Sequence, residues 1–168
     1  MPEEIYLSCY QEAWVSVFTS EALLLQKLIP RLDLRIHHVG STSIPGIKSK
    51  PIIDINIESK EFPPSRAIIS KLHSIGYTNM DQAGIEGRYW FIKGEPRKFH
   101  LHWCPYNGSV TLDQLRFRDT LRRSKLLAAE YEKLKIDAAY KRTIDSPEYA
   151  EAKSEFVNRV IKFDDSSR

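Results

Sequence analysis

An α+β fold is expected for this chain, with a mixed α/β body followed by an all-helical segment. Three features carry that expectation. Two short apolar runs, Leu34 to Val39 and Pro51 to Glu58, have strand length and flank a Pro/Gly turn. Apolar residues recur at spacings of three and four on either side of them. After residue 108 the strand-like runs cease and only helical stripes remain.

In chain order, residues 11–29 form an amphipathic stripe through Trp14, Phe18, Ala22, Leu25 and Ile29, stopped by Pro30. Leu34 to Val39 reads as a strand ending at Gly40. In Pro51 to Glu58, Ile52, Ile53, Ile55 and Ile57 surround Asp54, which suggests a central strand covered on both faces. Pro51 is tolerated there because it opens the strand. Pro64 to Leu72 has helical spacing, with Gly76 as its C-terminal cap. Arg88 to Lys93 and Lys98 to Cys104 read as paired strands around the turn Gly94 to Arg97. Thr111-Leu-Asp-Gln114 has the form of a capping box opening a helix. Leu127, Tyr131, Leu134 and Ala138 mark a second stripe. Ser146-Pro147 opens a third, through Tyr149, Ala152, Phe156 and Val160. Only Asp164 to Arg168 look frayed.

The length of 168 residues suits one domain over 1–168, with a body at 1–108 and C-terminal helices at 109–163 packed on it. A hydrophobic content of 42% with 28% charged residues is that of a globular protein. The net charge of +3 suits an anionic ligand and gives no support for nucleic acid as a partner. Two cysteines, Cys9 and Cys104, argue against a disulfide framework. Neither a signal peptide nor an apolar run of roughly 20 residues is present, so a cytoplasmic location without a membrane partner is expected.

The stretch Ile36 to Asn56 carries the chemistry. A Gly40-Ser41 turn can offer backbone amides to phosphate oxygens, and a carboxylate on the next strand, Asp54, can hold a metal that neutralises them. The structural alternative is a strand aspartate bonded to a neighbouring helix N-terminus. Asn56 projects from the same face as Asp54, roughly 7 Å along the strand. It supplies a neutral oxygen where a second carboxylate would hold magnesium more tightly.

His100, His102 and Cys104 alternate onto one face of their strand. Beside Asp54 the imidazoles could complete a metal site, orient a phosphate, or act as acid and base; the face also admits zinc. Arg118 and Arg122 share a helix face and have the fork geometry for phosphate oxygens, though such runs are often solvated. Lys50 stands just before the Asp54 strand and could steady a polyphosphate.

His38-Val-Gly-Ser-Thr-Ser-Ile-Pro-Gly46 followed by Lys50-Pro-Ile-Ile-Asp-Ile55 closely resembles the signature of the GrpB-like family, within the nucleotidyltransferase superfamily typified by DNA polymerase beta. The resemblance continues through Tyr10, Trp14, His100-Leu-His102, Phe117 to Arg122, Tyr131 through Lys135, and Tyr149 with Lys153. It implies a nucleotidyltransferase-like mixed β-sheet flanked by helices. In that superfamily the glycine-serine turn contacts the triphosphate, and strand carboxylates hold two divalent metals. Here Asn56 replaces the second carboxylate, and the His100/His102 strand takes the third acidic position. A two-metal clamp needs ions about 4 Å apart held by shared carboxylates, so a single-metal or histidine-assisted site is the better expectation.

The expected function is therefore transfer of a nucleotidyl group from a nucleoside triphosphate, ATP foremost, to an unidentified hydroxyl or amine acceptor. Asp54, His100 and His102 are the catalytic candidates. Gly40, Ser41, Lys50, Arg118 and Arg122 are the nucleotide-binding candidates, and Asp54, Asn56 and His102 would hold magnesium or manganese. Two alternatives stand beside it: a non-catalytic nucleotide- or metabolite-binding module with an incomplete metal site, and a zinc-dependent hydrolase.

Overall fold

The structure, a computed structural model, describes residues 6–141 and 147–165. Helix α1 (Ala13–Leu28) leads into strand β1 (Leu34–Val39), a short 3-10 turn at Ser41–Ser43, and strand β2 (Ile53–Ser59). Helix α2 (Arg66–Ser74) follows, then β3 (Tyr77–Asn79), β4 (Tyr89–Lys93) and β5 (Phe99–Pro105). The chain closes with α3 (Ser109–Arg123), α4 (Lys125–Tyr140) and α5 (Pro147–Asp165). Ser146, expected to cap α5, lies outside the described residues, as do residues 166–168 of the expected frayed end.

The five strands form one mixed sheet in the order β1-β2-β5-β4-β3. β2 and β5 run parallel, with Asp54 opposite His100 and Asn56 opposite His102. The other pairs are antiparallel. The expected α+β architecture, a mixed sheet flanked by helices with a C-terminal helical segment, is what the chain adopts. β3 is the strand the sequence hides: three residues carry too short a pattern to register.

Strand alternation sorts the sheet into two unlike faces. One carries Ile53, Ile55, Ile57, Leu101, Trp103 and Phe91, all under 3% exposed and packed with Leu25, Ile29, Ile68 and Leu72. The other carries Asp54, Asn56 and Glu58 from β2 and His100, His102 and Cys104 from β5. β2 is interior, as its isoleucines suggested, but its second face is polar rather than apolar. The middle of that face, around Asn56, is buried because α3 lies against it and supplies the partners of that amide.

The expected capping box at Thr111–Gln114 is replaced by that contact. Helix α3 starts three residues earlier, with Gly108 in place of Thr111 as an N-cap that makes no side-chain bond. Thr111 Oγ1 donates instead to Asn56 Oδ1 at 3.0 Å, and Gln114 Oε1 accepts from Asn56 Nδ2 at 2.7 Å. A buried amide left without partners costs about 1–3 kcal/mol, so tertiary demand outweighs local capping. Where no such demand exists the local signals hold. Ser65 accepts from Ile68 N at the start of α2, and Ser124 accepts from Leu127 N at the start of α4.

A second apolar cluster joins the turn after β1 to the C-terminal helices. Ile44 and Ile47 pack with Phe117, Leu121, Tyr131, Phe156 and Val160. Tyr131 stacks on Phe156 at 5.3 Å and meets Phe117 edge-on at 5.1 Å. This cluster holds α4 and α5 over the end of the sheet where Asp54 emerges. Among the described residues no helix is long and apolar enough to cross a membrane.

Candidate functional site

The chain bends sharply after β1 because Gly40 adopts φ +70°. A Cβ there would lie 2.8 Å from Asp54 Cγ, so only glycine lets the turn pass over the carboxylate. The next residue, Ser41, then faces α4, where its Oγ donates to the Tyr131 hydroxyl at 3.4 Å.

Asp54 keeps 26% of its side-chain exposure at the end of the polar face. His100 Nδ1 donates to its Oδ1 at 3.0 Å. His102 Nε2 stands 3.7 Å from the same oxygen, an electrostatic contact rather than a hydrogen bond. On the far side of His102, Arg88 Nη1 lies 3.3 Å from Nδ1. A guanidinium only donates, so Nδ1 accepts and the neutral ring carries its proton on Nε2, toward Asp54. Burial holds His102 below the ordinary imidazole range, consistent with that neutral form. Burial alone would raise the Asp54 pKa, but the two imidazoles prevail and hold its carboxyl well below the usual range.

Asp54 and His100 open onto a cavity of about 260 Å³ between the sheet edge and the C-terminal helices. Ser41, Lys50 and Ile52 form one wall; Tyr131 and Lys135 of α4 and Tyr149 and Lys153 of α5 form the other, with Leu7 at the rim. Lys135 is 4% exposed. Lys153 is exposed overall, and the Tyr131 hydroxyl beside its ammonium raises its pKa despite the opposing effect of burial. Three ammonium groups and two phenols thus face a single carboxylate.

Ser41, Lys50, Asp54 and His100 from the expected site residues meet at this cavity, with Gly40 backing Asp54. The others do not reach it. Asn56 is fully buried, its oxygen taken by Thr111 and its amide by Gln114, with Cys104 Sγ at 3.5 Å. Its expected role as a metal ligand gives way to a structural one. His102 lies behind His100, between Arg88 and Asp54. Arg118 Nη1 donates to the His38 carbonyl at 3.1 Å, and Arg122 Nε to the Ser43 carbonyl at 2.8 Å. Those guanidiniums brace β1 and the turn that carries Ser41, and neither lines this cavity.

This donor set does not fit the two-ion magnesium clamp. It offers one carboxylate, with one oxygen held by His100 and the other packed against Gly40. A zinc site on Asp54, His100 and His102 fits no better, because His100 Nδ1 and His102 Nε2 both face Asp54 Oδ1, at 3.0 and 3.7 Å, and that oxygen occupies the point where they converge. Among the described residues, no group of three His, Cys, Asp or Glu side chains is disposed to hold a metal ion.

The sequence places Tyr131 and Tyr149 on helical stripes and all four of Tyr131, Lys135, Tyr149 and Lys153 within the GrpB-like resemblance, but it assigns none of them to the site. A signal for them existed: Tyr131 precedes Lys135 by four residues, and Tyr149 precedes Lys153 by four. Each pair therefore shares a helix face, and the two helices present the same pair to one cavity.

A sequence profile of the family described as GrpB protein matches residues 4–162. The chain is 32% identical over 164 residues to Glutamate-rich protein GrpB of Alkalihalophilus pseudofirmus, covering 94% of each. It is 32% identical over 155 residues to UPF0157 protein YqkA of Bacillus subtilis, where it spans about half (45%) of the longer chain. The crystal structure of conserved protein GrpB from Enterococcus faecalis superposes with a TM-score of 0.84 at 30% identity, covering 94% of this chain and 95% of that one.

Proposed function

The chain belongs to the GrpB family, and from that premise we propose that it binds a nucleoside triphosphate, ATP foremost, with its phosphates in the lysine-lined cavity. One observation carries the reading. Lys50, Lys135 and Lys153 converge on a cavity whose only carboxylate, among the described lining residues, is already held by an imidazole. Protein cations there supply the neutralisation that a metal pair supplies in a two-ion site. Ser41 and the Tyr131 and Tyr149 hydroxyls add neutral donors suited to phosphate oxygens.

A second reading, nucleotidyl transfer to a hydroxyl or amine, draws on the Asp54–His100 pair. An imidazole oriented by a carboxylate is a general base, and His100 lines the cavity. Its Nε2, buried and without a hydrogen-bond partner among the described residues, would have to turn toward the cavity to take the proton of the acceptor as its oxygen or nitrogen bonds to the α-phosphorus and pyrophosphate departs.

Thermal unfolding with ATP, GTP, CTP and UTP, each with and without magnesium, tests the first reading. Stabilisation that persists in EDTA supports it, and no stabilisation by any nucleotide removes it. For the second, pyrophosphate release from labelled ATP with candidate acceptors is the assay. Release that survives Asp54→Ala would remove this mechanism.

A further inference from the structure

Lys135 stands apart from the other pocket lysines in its burial: it is 4% exposed, whereas Lys50 is half-buried and Lys153 exposed. Its Nζ donates to the Lys48 carbonyl and to Ser49 Oγ, the latter at 3.4 Å, and lies 4.8 Å from the centre of the Tyr131 ring. All three partners are neutral. The charged and titratable groups around it come from every side of the cavity. On its own helix Glu132 is nearest, but its Oε1 accepts from the Lys48 amide and is thereby tied to the turn. Lys153 and Tyr149 face it from α5, and Lys50, Asp54 and His100 from the sheet. Asp54 is in turn held by His100. A buried ammonium thus shares one cavity with two other ammoniums; among the described residues its hydrogen bonds go to neutral oxygens, and Glu132 is the carboxylate that favours its charge.

Building on the nucleotide reading, we propose that Lys135 makes the pocket proton-linked: as a terminal phosphate dianion seats beside it, the protein takes up one proton on Lys135 Nζ. The anion supplies the counter-charge that the fold withholds, so the charged lysine and the bound dianion stabilise each other. The physical basis is that burial, aided by Lys153 and opposed by Glu132, pulls the Lys135 ammonium down to about 7. Lysine suits this role because its charge yields readily to burial, whereas arginine stays protonated. The same arrangement selects for ligands ending in a dianion over uncharged nucleosides, since only the former offset the cost of charging a buried amine.

The test is calorimetric titration of ATP and of ADP at pH 8.0, in two buffers of different ionisation enthalpy. A phosphate whose second pKa is about 6 is fully ionised at that pH, so any proton taken up goes to the protein. With Lys135 near 7, uptake approaches about nine-tenths of a proton per ligand. Affinity then falls about tenfold from pH 8 to pH 9, because each added pH unit must supply the same proton. Lys135→Arg, charged throughout, should bind with neither uptake nor that slope. If arginine does not fold in its place, as judged by thermal unfolding, Lys135→Met should bind at least tenfold more weakly and without uptake. Binding by the unaltered protein with no proton uptake overturns the inference and leaves the nucleotide pocket standing. Uptake unchanged in the variants also overturns it, by assigning the proton to an imidazole. Binding of neither probe between pH 6 and pH 9 overturns the inference together with the pocket reading.

Discussion

His100 Nδ1 donates to Asp54 Oδ1 at 3.0 Å across the parallel β2–β5 pair, so the carboxylate that opens on the pocket already has one oxygen engaged by a neighbouring strand. That bond decides how the site balances charge. An Asp54 engaged by His100 is a poor anchor for a magnesium pair, yet it keeps the negative charge that the lysines must outweigh. The three lysines are then left to set the potential of the cavity.

Replacing Asn56 by aspartate, which restores the acidic pattern of a two-ion site, should cost stability without creating one. A buried carboxylate would lose the donor that Asn56 gives to Gln114 and would carry charge at a site with no exposure. Urea unfolding should show a loss of about 2 kcal/mol or more, and calorimetry should show no gain in magnesium affinity.

Gly40→Ala should be more damaging than a surface glycine substitution. The added methyl meets the Asp54 carboxyl group, and φ +70° is unfavourable for any L side chain. A loss of about 1–3 kcal/mol is expected from backbone strain alone, together with weaker ATP binding because Ser41 and Asp54 must both shift. The control, Gly46→Ala, also has positive φ but meets nothing within 4 Å, so it should leave ATP affinity intact.

Lysines and arginines should separate cleanly. Lys50→Ala and Lys153→Ala should each weaken ATP binding by about tenfold, the loss of one charged hydrogen bond, while stability stays within about 0.5 kcal/mol. Arg122→Ala removes a charged bond to the Ser43 carbonyl instead. It should lower stability by about 1.5–3 kcal/mol and reduce ATP affinity less than either lysine change. Comparing unfolding midpoints with calorimetric affinities reads both columns of this prediction.

Stability should fall as the pH drops from 6.5 toward 4, in part through His38. This residue is 7% exposed, stacks on Phe18 at 4.8 Å, and has Nε2 3.0 Å from Thr42 Oγ1. Burial, aided by Arg122 and Arg118 and opposed by Asp54, lowers its pKa to about 4. Between 4 and 6.5 the unfolded chain therefore binds the extra proton and the folded one does not, so acid favours unfolding. The contribution reaches on the order of 3 kcal/mol at pH 4 and vanishes above 6.5. His38→Gln should flatten the unfolding free energy across that window relative to the native chain.

Much of this architecture is readable from residues alone, and the failures share a cause. Ile53, Ile55 and Ile57 announce β2, and Gly40 with Ser41 announces the turn, because both signals are local. The roles of Asn56, Thr111 and Gln114 were misread because their pairing spans more than fifty positions, and each has a plausible local purpose. Arg118 and Arg122 have phosphate-binding chemistry, yet each donates to a backbone carbonyl, of His38 in β1 and of Ser43 in the turn after it. Lys135 and Lys153 were missed for the opposite reason. Single lysines on helices are unremarkable until packing of Phe117, Tyr131 and Phe156 brings the two helix faces to one cavity.

Titration of ATP into the native protein and into Asp54→Asn, both in EDTA, sets the lysine pocket against a metal site. Lysine-borne binding predicts that both proteins take up ATP without magnesium and that Asp54→Asn binds at least as tightly, because a repelling charge has been removed. Binding that appears only with magnesium, and disappears in Asp54→Asn, would contradict it.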